Sequence, residues 1–389
     1  MPARSRPKPK RSSLASRLLA WWDIHRRSLP WRARRGESPD PYAVWLSEIL
    51  LQQTTVAAAT PYFHRFLTRW PRVEDLAAAP IEEVMRSFAG LGYYSRARNM
   101  HRCAQEIARR GGVFPKDEAS LRMLPGIGAY TSAAMAAIAF NGQASPVDGN
   151  IARIIARLGA LPRPIKEARS EIAATAVALT PPDRPGDFAQ ALMDLGATIC
   201  TPRSPDCPAC PIKADCAASA SGDPQAFPRR ALKTPRPLRK GAAFFAKAPN
   251  GSVLMRTRAP KGLLGGTVEL PGAGWSVDFD VGDAPKYAPV RAAWRRLPGV
   301  VEQAFTHFTL QLTIYAAQAD AEAATDGCYW VAEAEIDGLA LSGVMAKALA
   351  YARRYEHAGA ERPSSPPAVR SSNMRRNAPS AKSGAAPES

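Results

Sequence analysis

Two carboxylates and four thiols in this sequence have the types and surroundings that chemistry needs. Glu48 sits among Trp45, Leu46, Ile49, Leu50 and Leu51. A carboxyl withdrawn from water there would have a raised pKa and could hold a proton near neutrality; on the outer face of the helix it would be an ordinary solvated glutamate. Asp148 follows Val147 and precedes Gly149-Asn150 and the amphipathic run from Ile151 to Leu158. It is either a plain N-cap or a reactive carboxylate held at a helix start. Cys200, Cys207, Cys210 and Cys216 fall within seventeen residues, spaced x6, x2 and x5 among prolines. Zinc and a [4Fe-4S] cluster both accept four sulfurs, but structural zinc usually uses two paired knuckles, so a single loop with one Cys-x2-Cys favours iron-sulfur. Cys103 and Cys328 read as ordinary buried thiols.

The elements that must position these groups are mostly helical. Leu14 to Arg27 is amphipathic, and Asp40-Pro41 supplies an N-cap and a first-turn proline for the helix that carries Glu48. Gln52, Gln53 and Thr54 end that helix with groups able to pair with base edges. Thr60 to Trp70 reads as a core helix. Pro80 to Phe88 is a helix stopped by Gly90-Leu-Gly92, and Asn99 to Arg110 is another. Between them lie Tyr93, Tyr94, Arg96 and Arg98, which read either as an aromatic wedge with phosphate-binding cations or as a helix cap with packed tyrosines. Glu118 to Met123, a Leu124-Pro-Gly-Ile-Gly128 turn and an Ala-rich helix from Ala129 to Phe140 form a helix-hairpin-helix. Its glycines Gly126 and Gly128 can both take positive φ, and the amides at the start of the second helix would suit a DNA phosphate. Further helices are expected at about 151–160, 167–179 and 187–199, the last holding Gln190 and Asp194.

The chain of 389 residues carries 52 Lys and Arg against 34 Asp and Glu, a net charge of +18. Such an excess favours a polyanionic partner, nucleic acid first. No apolar run approaches the roughly 20 residues needed to span a bilayer, and the N-terminus is a poor signal peptide. An intracellular, cytoplasmic and nucleoid-associated monomer is expected, with no membrane partner. Residues 1–13 should be a disordered basic arm, 14–222 the helical domain, 223–240 a linker, 241–356 a smaller α+β domain, and 357–389 a disordered tail. Ala242 to Ala246, Ser252 to Arg256, Thr267 to Leu270 and Gln311 to Tyr315 read as strands separated by Gly-rich turns.

In combination the helix-hairpin-helix, the later aspartate and the cysteine loop resemble the endonuclease III superfamily of DNA glycosylases. The motifs Ser47 to Thr54, Gly90 to Asn99, Leu124 to Thr131 and Val147 to Asn150, with the cysteine spacing, narrow the resemblance to MutY-type adenine DNA glycosylases over roughly residues 14 to 355. The C-terminal half resembles their Nudix-like domain through Gly262 to Pro271 and Phe305-Thr306-His307. The resemblance implies double-stranded DNA with an A:8-oxoguanine or A:G mismatch as substrate. Glu48 would protonate the flipped adenine at N7, and Asp148, assisted by Asn150, would stabilise the sugar cation. Tyr130 stands where strand-cutting members carry a lysine, which implies base removal without a strong lyase step. Gln53 and Tyr93 would enter the duplex, Arg32, Leu51, Val56 and Gln190 would shape the adenine pocket, and Thr306 and His307 would read the oxidised base, with threonine where the family often has serine. The run from Ala288 to Val301 has no glutamate, so no pyrophosphatase activity is expected. Alternatives are a mismatch thymine glycosylase of the same fold, a non-catalytic iron-sulfur DNA-binding protein, or a nucleotide-pool hydrolase.

Overall fold

A computed structural model describes residues 13–230, 235–320 and 327–357. The basic arm, apart from Ser13, and the tail, apart from His357, lie outside them. Ser13 caps the first helix, its Oγ accepting from Ser16 N at 3.1 Å.

The first part is helical: α1 (Leu14–His25), α2 (Pro41–Leu51), α3 (Val56–Arg69), α4 (Val73–Ala78), α5 (Ile81–Phe88), α6 (Ser95–Arg109), α7 (Glu118–Arg122), α8 (Ala129–Phe140), α9 (Gly149–Leu158), α10 (Arg169–Leu179), α11 (Pro185–Thr198) and α12 (Ala217–Ala220). The starts are encoded locally. Asp40 Oδ1 accepts from Tyr42 N at 2.9 Å ahead of Pro41 in α2. Thr55 caps α3, which therefore begins four residues before the expected Thr60. Two cores form. Helices α2 to α8 enclose one, built around Trp45, Phe63, Phe66 and Phe88. Helices α1, α9, α10 and α11 enclose the other, around Leu18, Trp22, Ile155 and Phe188. Ala-rich α8 joins them, because its small side chains admit both α2 and α11; any side chain at Gly186 of α11 would run into the Ala137 carbonyl.

The second part is a sheet of β1 (Leu238–Lys247), β2 (Val253–Thr257), β3 (Val268–Glu269), β4 (Gly272–Ser276), β5 (Arg295–Arg296), β6 (Val301–Ala304), β7 (Thr309–Gln318) and β8 (Cys328–Val331), closed by α13 (Gly343–His357). Long strands β1 and β7 run parallel in the middle, in register from Leu238↔Thr309 to Lys247↔Gln318. The rest pair antiparallel around them. Strand β1 starts at Leu238, before the expected boundary at 241, and Phe227 already packs back, its carbonyl taking Arg157 Nε at 3.0 Å. Cys103 is fully buried, as expected; Cys328 is only half-buried.

The two parts meet through the turn before α6. Tyr94 Oη donates to the Leu341 carbonyl at 2.8 Å, and Arg98 donates to the Gly265 carbonyl. Among the described residues no helix is long and apolar enough to cross a membrane.

Candidate active site

Helix α2 is buried almost all round, so its glutamate has no outer face to occupy. Glu48 is 8 % exposed. Burial is the largest influence on its carboxyl and raises it; a hydrogen bond from Tyr130 and the Arg32 charge oppose the rise, the Asp148 charge adds to it, and the result is about 7. The apolar run around Glu48 therefore produces a half-protonated acid at neutrality, and the solvated reading fails. Tyr130, on the first turn of α8, is pushed well above the usual phenol range by burial and by the two carboxylates.

Asp148 comes to the same place from the other core. Its Oδ1 accepts from Ile151 N at 2.7 Å, capping α9, while Oδ2 takes Asn150 Nδ2 at 3.0 Å. It is thus both an N-cap and a group facing a cavity. Asn150 Oδ1 in turn accepts from Arg153 Nη2 at 2.8 Å, and Arg153 Nε reaches the Cys200 carbonyl at 2.9 Å. A continuous hydrogen-bonded path therefore joins the carboxylate to the cysteine loop.

The cavity, about 490 Å3, opens between the two helical cores. Glu48, Asp148, Tyr130 and Asn150 line it together with Arg32, Leu51, Val56 and Gln190, and Gln52, Gln53 and Thr54 stand at its rim. Every residue expected to do chemistry on a purine or to enclose one is brought to one place. Gln52 Nε2 also donates to Thr131 Oγ1 at 3.4 Å, tying the end of α2 to α8. The sequence did not signal what holds Arg32. Asp194 of α11, completely buried, accepts from Arg32 Nη1 at 2.6 Å and Nη2 at 2.9 Å, Arg27 Nε at 2.6 Å and Trp22 Nε1 at 3.0 Å. Burial works to raise this carboxyl, but the two arginines outweigh it and hold it below the usual range.

Beside the first cavity the turns before α3 and α6 stand out. Gln53 has φ +58° and Tyr93 +50°, left-handed values that side chains rarely adopt. Tyr93 is half exposed and points toward the second domain, where its hydroxyl lies 2.5 Å from Thr306 Oγ1. A second cavity of about 650 Å3 lies there between the domains, lined by Gln53, Tyr93, Thr306 and His307. The two readings of this turn divide between its residues, with Tyr93 exposed and the rest following the packed one. Tyr94 is packed inside, and Arg96 does not face a phosphate. Its guanidinium is buried, donating to the carbonyls of Ile49 (2.8 Å), Gln52 (2.7 Å), Leu91 (3.0 Å) and Gly92 (3.0 Å). Arg96 binds the end of α2 to the glycine turn and so fixes Gln53 and Tyr93 side by side. Burial lowers it to about 10.

The hairpin between α7 and α8 is also sharper than the sequence suggested. Gly126 alone takes positive φ, +76°, and a Cβ there would lie 2.6 Å from Asn99 Cβ. Gly128 is extended at φ −92°, ψ −178°, with nothing within 4 Å of an added Cβ. It is the N-cap of α8 and provides no side-chain cap, so the first amides of that helix have no capping partner at the positive end of its dipole. The four cysteines of the loop line one small cavity, where Arg157 Nη1 lies 3.1 Å from Cys200 Sγ. Among the described residues no three His, Cys, Asp or Glu side chains converge closely enough to hold a single metal ion.

Helix-hairpin-helix, a buried acid and a capping aspartate across one pocket define a base-excision DNA glycosylase. Residues 46–179 match the HhH-GPD superfamily of base excision DNA repair proteins, and residues 242–351 match the NUDIX domain. The chain is 33 % identical to the adenine DNA glycosylase of Homo sapiens, over 85 % of this chain and 72 % of that protein, and 33 % identical to that of Mus musculus, over 89 % and 78 %. A solved thermostable thymine-DNA glycosylase is 30 % identical and covers 53 % of this chain and 95 % of its own, with a TM-score of 0.48. The chain belongs to the adenine DNA glycosylase family.

Proposed function

We propose that this enzyme removes adenine mispaired with 8-oxoguanine or guanine from duplex DNA, hydrolysing the N-glycosidic bond without cutting the strand. The observation that carries the reading is that Glu48 and Asp148, from different cores and opposite in their protonation needs, line one cavity. An adenine must leave the stack to reach it, at a cost of a few kcal/mol that is smaller at a mismatch. Gln53 and Tyr93, strained and adjacent, support a role in filling the space it leaves. In the cavity Glu48 gives its proton to adenine N7. The C1′–N9 bond then breaks with its electron pair going to the base, and the Asp148 carboxylate stabilises the cation growing on the sugar. Water adds to C1′ and its proton passes to the Glu48 carboxylate, leaving an abasic site. Tyr130 has no amine to form a Schiff base, which supports hydrolysis alone.

Recognition of the opposite base falls to the interdomain cavity, where Tyr93 and Thr306 already meet. Among the described residues the run from Ala288 to Val301 forms no helix, which supports recognition without pyrophosphate hydrolysis. The uncapped amides after Gly128 suit a phosphate of the bent duplex. The four cysteines fit a [4Fe-4S] cluster: all belong to one loop and line one cavity, and a single Cys-x2-Cys pair is not the double knuckle of structural zinc. Such a cluster would fix the loop against α9, and no step of the reaction runs through it. A monomer acting in the cytoplasm at the nucleoid completes the reading.

The test is incubation with duplexes holding adenine opposite 8-oxoguanine, guanine, cytosine or thymine, with and without alkali. Loss of adenine opposite the two purines alone, with breaks that need alkali, is the expected pattern. Thymine release from a mismatch, or efficient cutting without alkali, would overturn it.

A further inference from the structure

One polar group in the interdomain cavity has no place in this scheme. Ser342 immediately precedes α13, and its carbonyl accepts the helix's first hydrogen bond, from Ala346 N at 2.9 Å. A serine at that position normally turns its hydroxyl back onto a first-turn amide, as Ser13 does for α1. Ser342 Oγ does not. Among the described residues it has no hydrogen-bond partner, although Ser342 is only 1 % exposed. Buried hydroxyls are rarely left so, and an orphan calls for a ligand or a water.

The surroundings indicate which. Ser342, Gly343 and Val344 line the cavity that Tyr93 and Thr306 also line. The amides of the first turn of α13 have no acceptor within the helix, and this fifteen-residue helix presents its positive end there. The placement is rigid, since Tyr94 Oη holds the Leu341 carbonyl, one residue away, from the glycosylase side. The cavity thus has one donor group at the reading loop and a second, unused one at the start of α13.

We infer that Ser342 is a further specificity-determining residue, its hydroxyl and the first amides of α13 donating to an oxygen of the nucleotide opposite the adenine. The inference rests on the reading that the interdomain cavity receives that nucleotide. The oxygen is either O8, which only the oxidised base has, or one that guanine and 8-oxoguanine share, O6 or a backbone phosphate oxygen.

The two are separated by measuring binding of the full chain to duplexes with 2′-fluoro-2′-deoxyadenosine, which resists excision, opposite 8-oxoguanine or guanine. Ser342→Ala should weaken binding about five- to tenfold, the worth of one hydrogen bond. A loss confined to the 8-oxoguanine duplex identifies O8; an equal loss on both identifies an oxygen that the two nucleotides share. Ser342→Thr should restore most of the affinity, which a packing effect would not do. Since the alanine removes only an unsatisfied hydroxyl, its melting temperature should equal the parent's or exceed it. Unchanged binding on both duplexes overturns the inference. Thr306→Ala, measured alongside, shows which reading has failed: if it weakens 8-oxoguanine binding, the cavity holds the nucleotide and Ser342 alone is idle, whereas if it too is silent the recognition reading falls as well.

Discussion

Replacing Tyr130 with phenylalanine tests the origin of the catalytic acid. Burial lifts the Glu48 carboxyl to about 7, and the hydrogen bond from Tyr130 restrains it by favouring the ionised form. Hydrogen bonds to charged groups contribute about 1.5–3 kcal/mol, and part of that survives as a difference between the two protonation states. One pKa unit corresponds to about 1.4 kcal/mol, so removing the phenol should raise Glu48 by about one unit. In the proposed mechanism the protonated form is the active one, so the rate should be flat below the pKa and fall tenfold per unit above it. The parent should lose half its maximal single-turnover rate near neutrality and retain about a tenth at about pH 8, where the variant should still retain about half of its own maximum. The assay is single-turnover adenine release from an A:8-oxoguanine duplex across the pH range, each enzyme scaled to its acid plateau. An alkaline limb that stays in place or moves to lower pH in Tyr130→Phe would refute the reasoning, as would a parent rate that rises through neutrality.

Further outcomes follow from the supports of the site. Asp194→Asn leaves Arg27 and Arg32 facing a buried neutral amide and should destabilise the fold by about 3–5 kcal/mol, read by denaturant unfolding. Since the folded-state carboxyl is held below its ordinary value, the parent's stabilisation from this group is full above that value and is lost as pH falls through the lowered one, so parent and variant should converge in strong acid. Gly126→Ala, at φ +76° against Asn99, should cost about 1–2 kcal/mol of stability, whereas Gly128→Ala should melt normally and bind duplex more weakly, because its methyl occupies the space a phosphate would enter. Thr306→Ser removes a methyl beside Tyr93 and should raise the preference for 8-oxoguanine over guanine about two- to fivefold in competitive binding, about one methyl contact.

The sequence announced the chemistry more readily than its supports. Glu48 was legible because apolar neighbours on every side of a helix leave a carboxylate nowhere to go, and Asp148 because a capping residue must sit at a defined helix start. Their convergence was not derivable from local pattern, since they belong to different cores. The role of Arg96 stayed open for a related reason. An arginine after a glycine turn looks like a surface cation, and the carbonyls that bury it come from segments more than forty residues earlier as well as from the turn. Asp194 read as a polar residue on an apolar helix, and only the fold supplies its arginines. The two hairpin glycines are chemically identical, and tertiary contact with Asn99 decided which one takes the left-handed conformation. Strands β4, β5, β6 and β8 are not legible in the sequence because each is five residues or fewer and is defined by its partner rather than by its own alternation.

The joint between the domains deserves a last consequence. Tyr94 and Arg98 fasten onto the carbonyls of Leu341 and Gly265; the first persists whatever side chain position 341 carries, while any side chain at 265 would run into the Pro260 carbonyl. The Leu341 side of the docking is therefore insulated from change in that side chain. Under the proposed function, an exchange of serine for threonine at 306 would retune which base is inspected while the distance from inspection to excision is preserved.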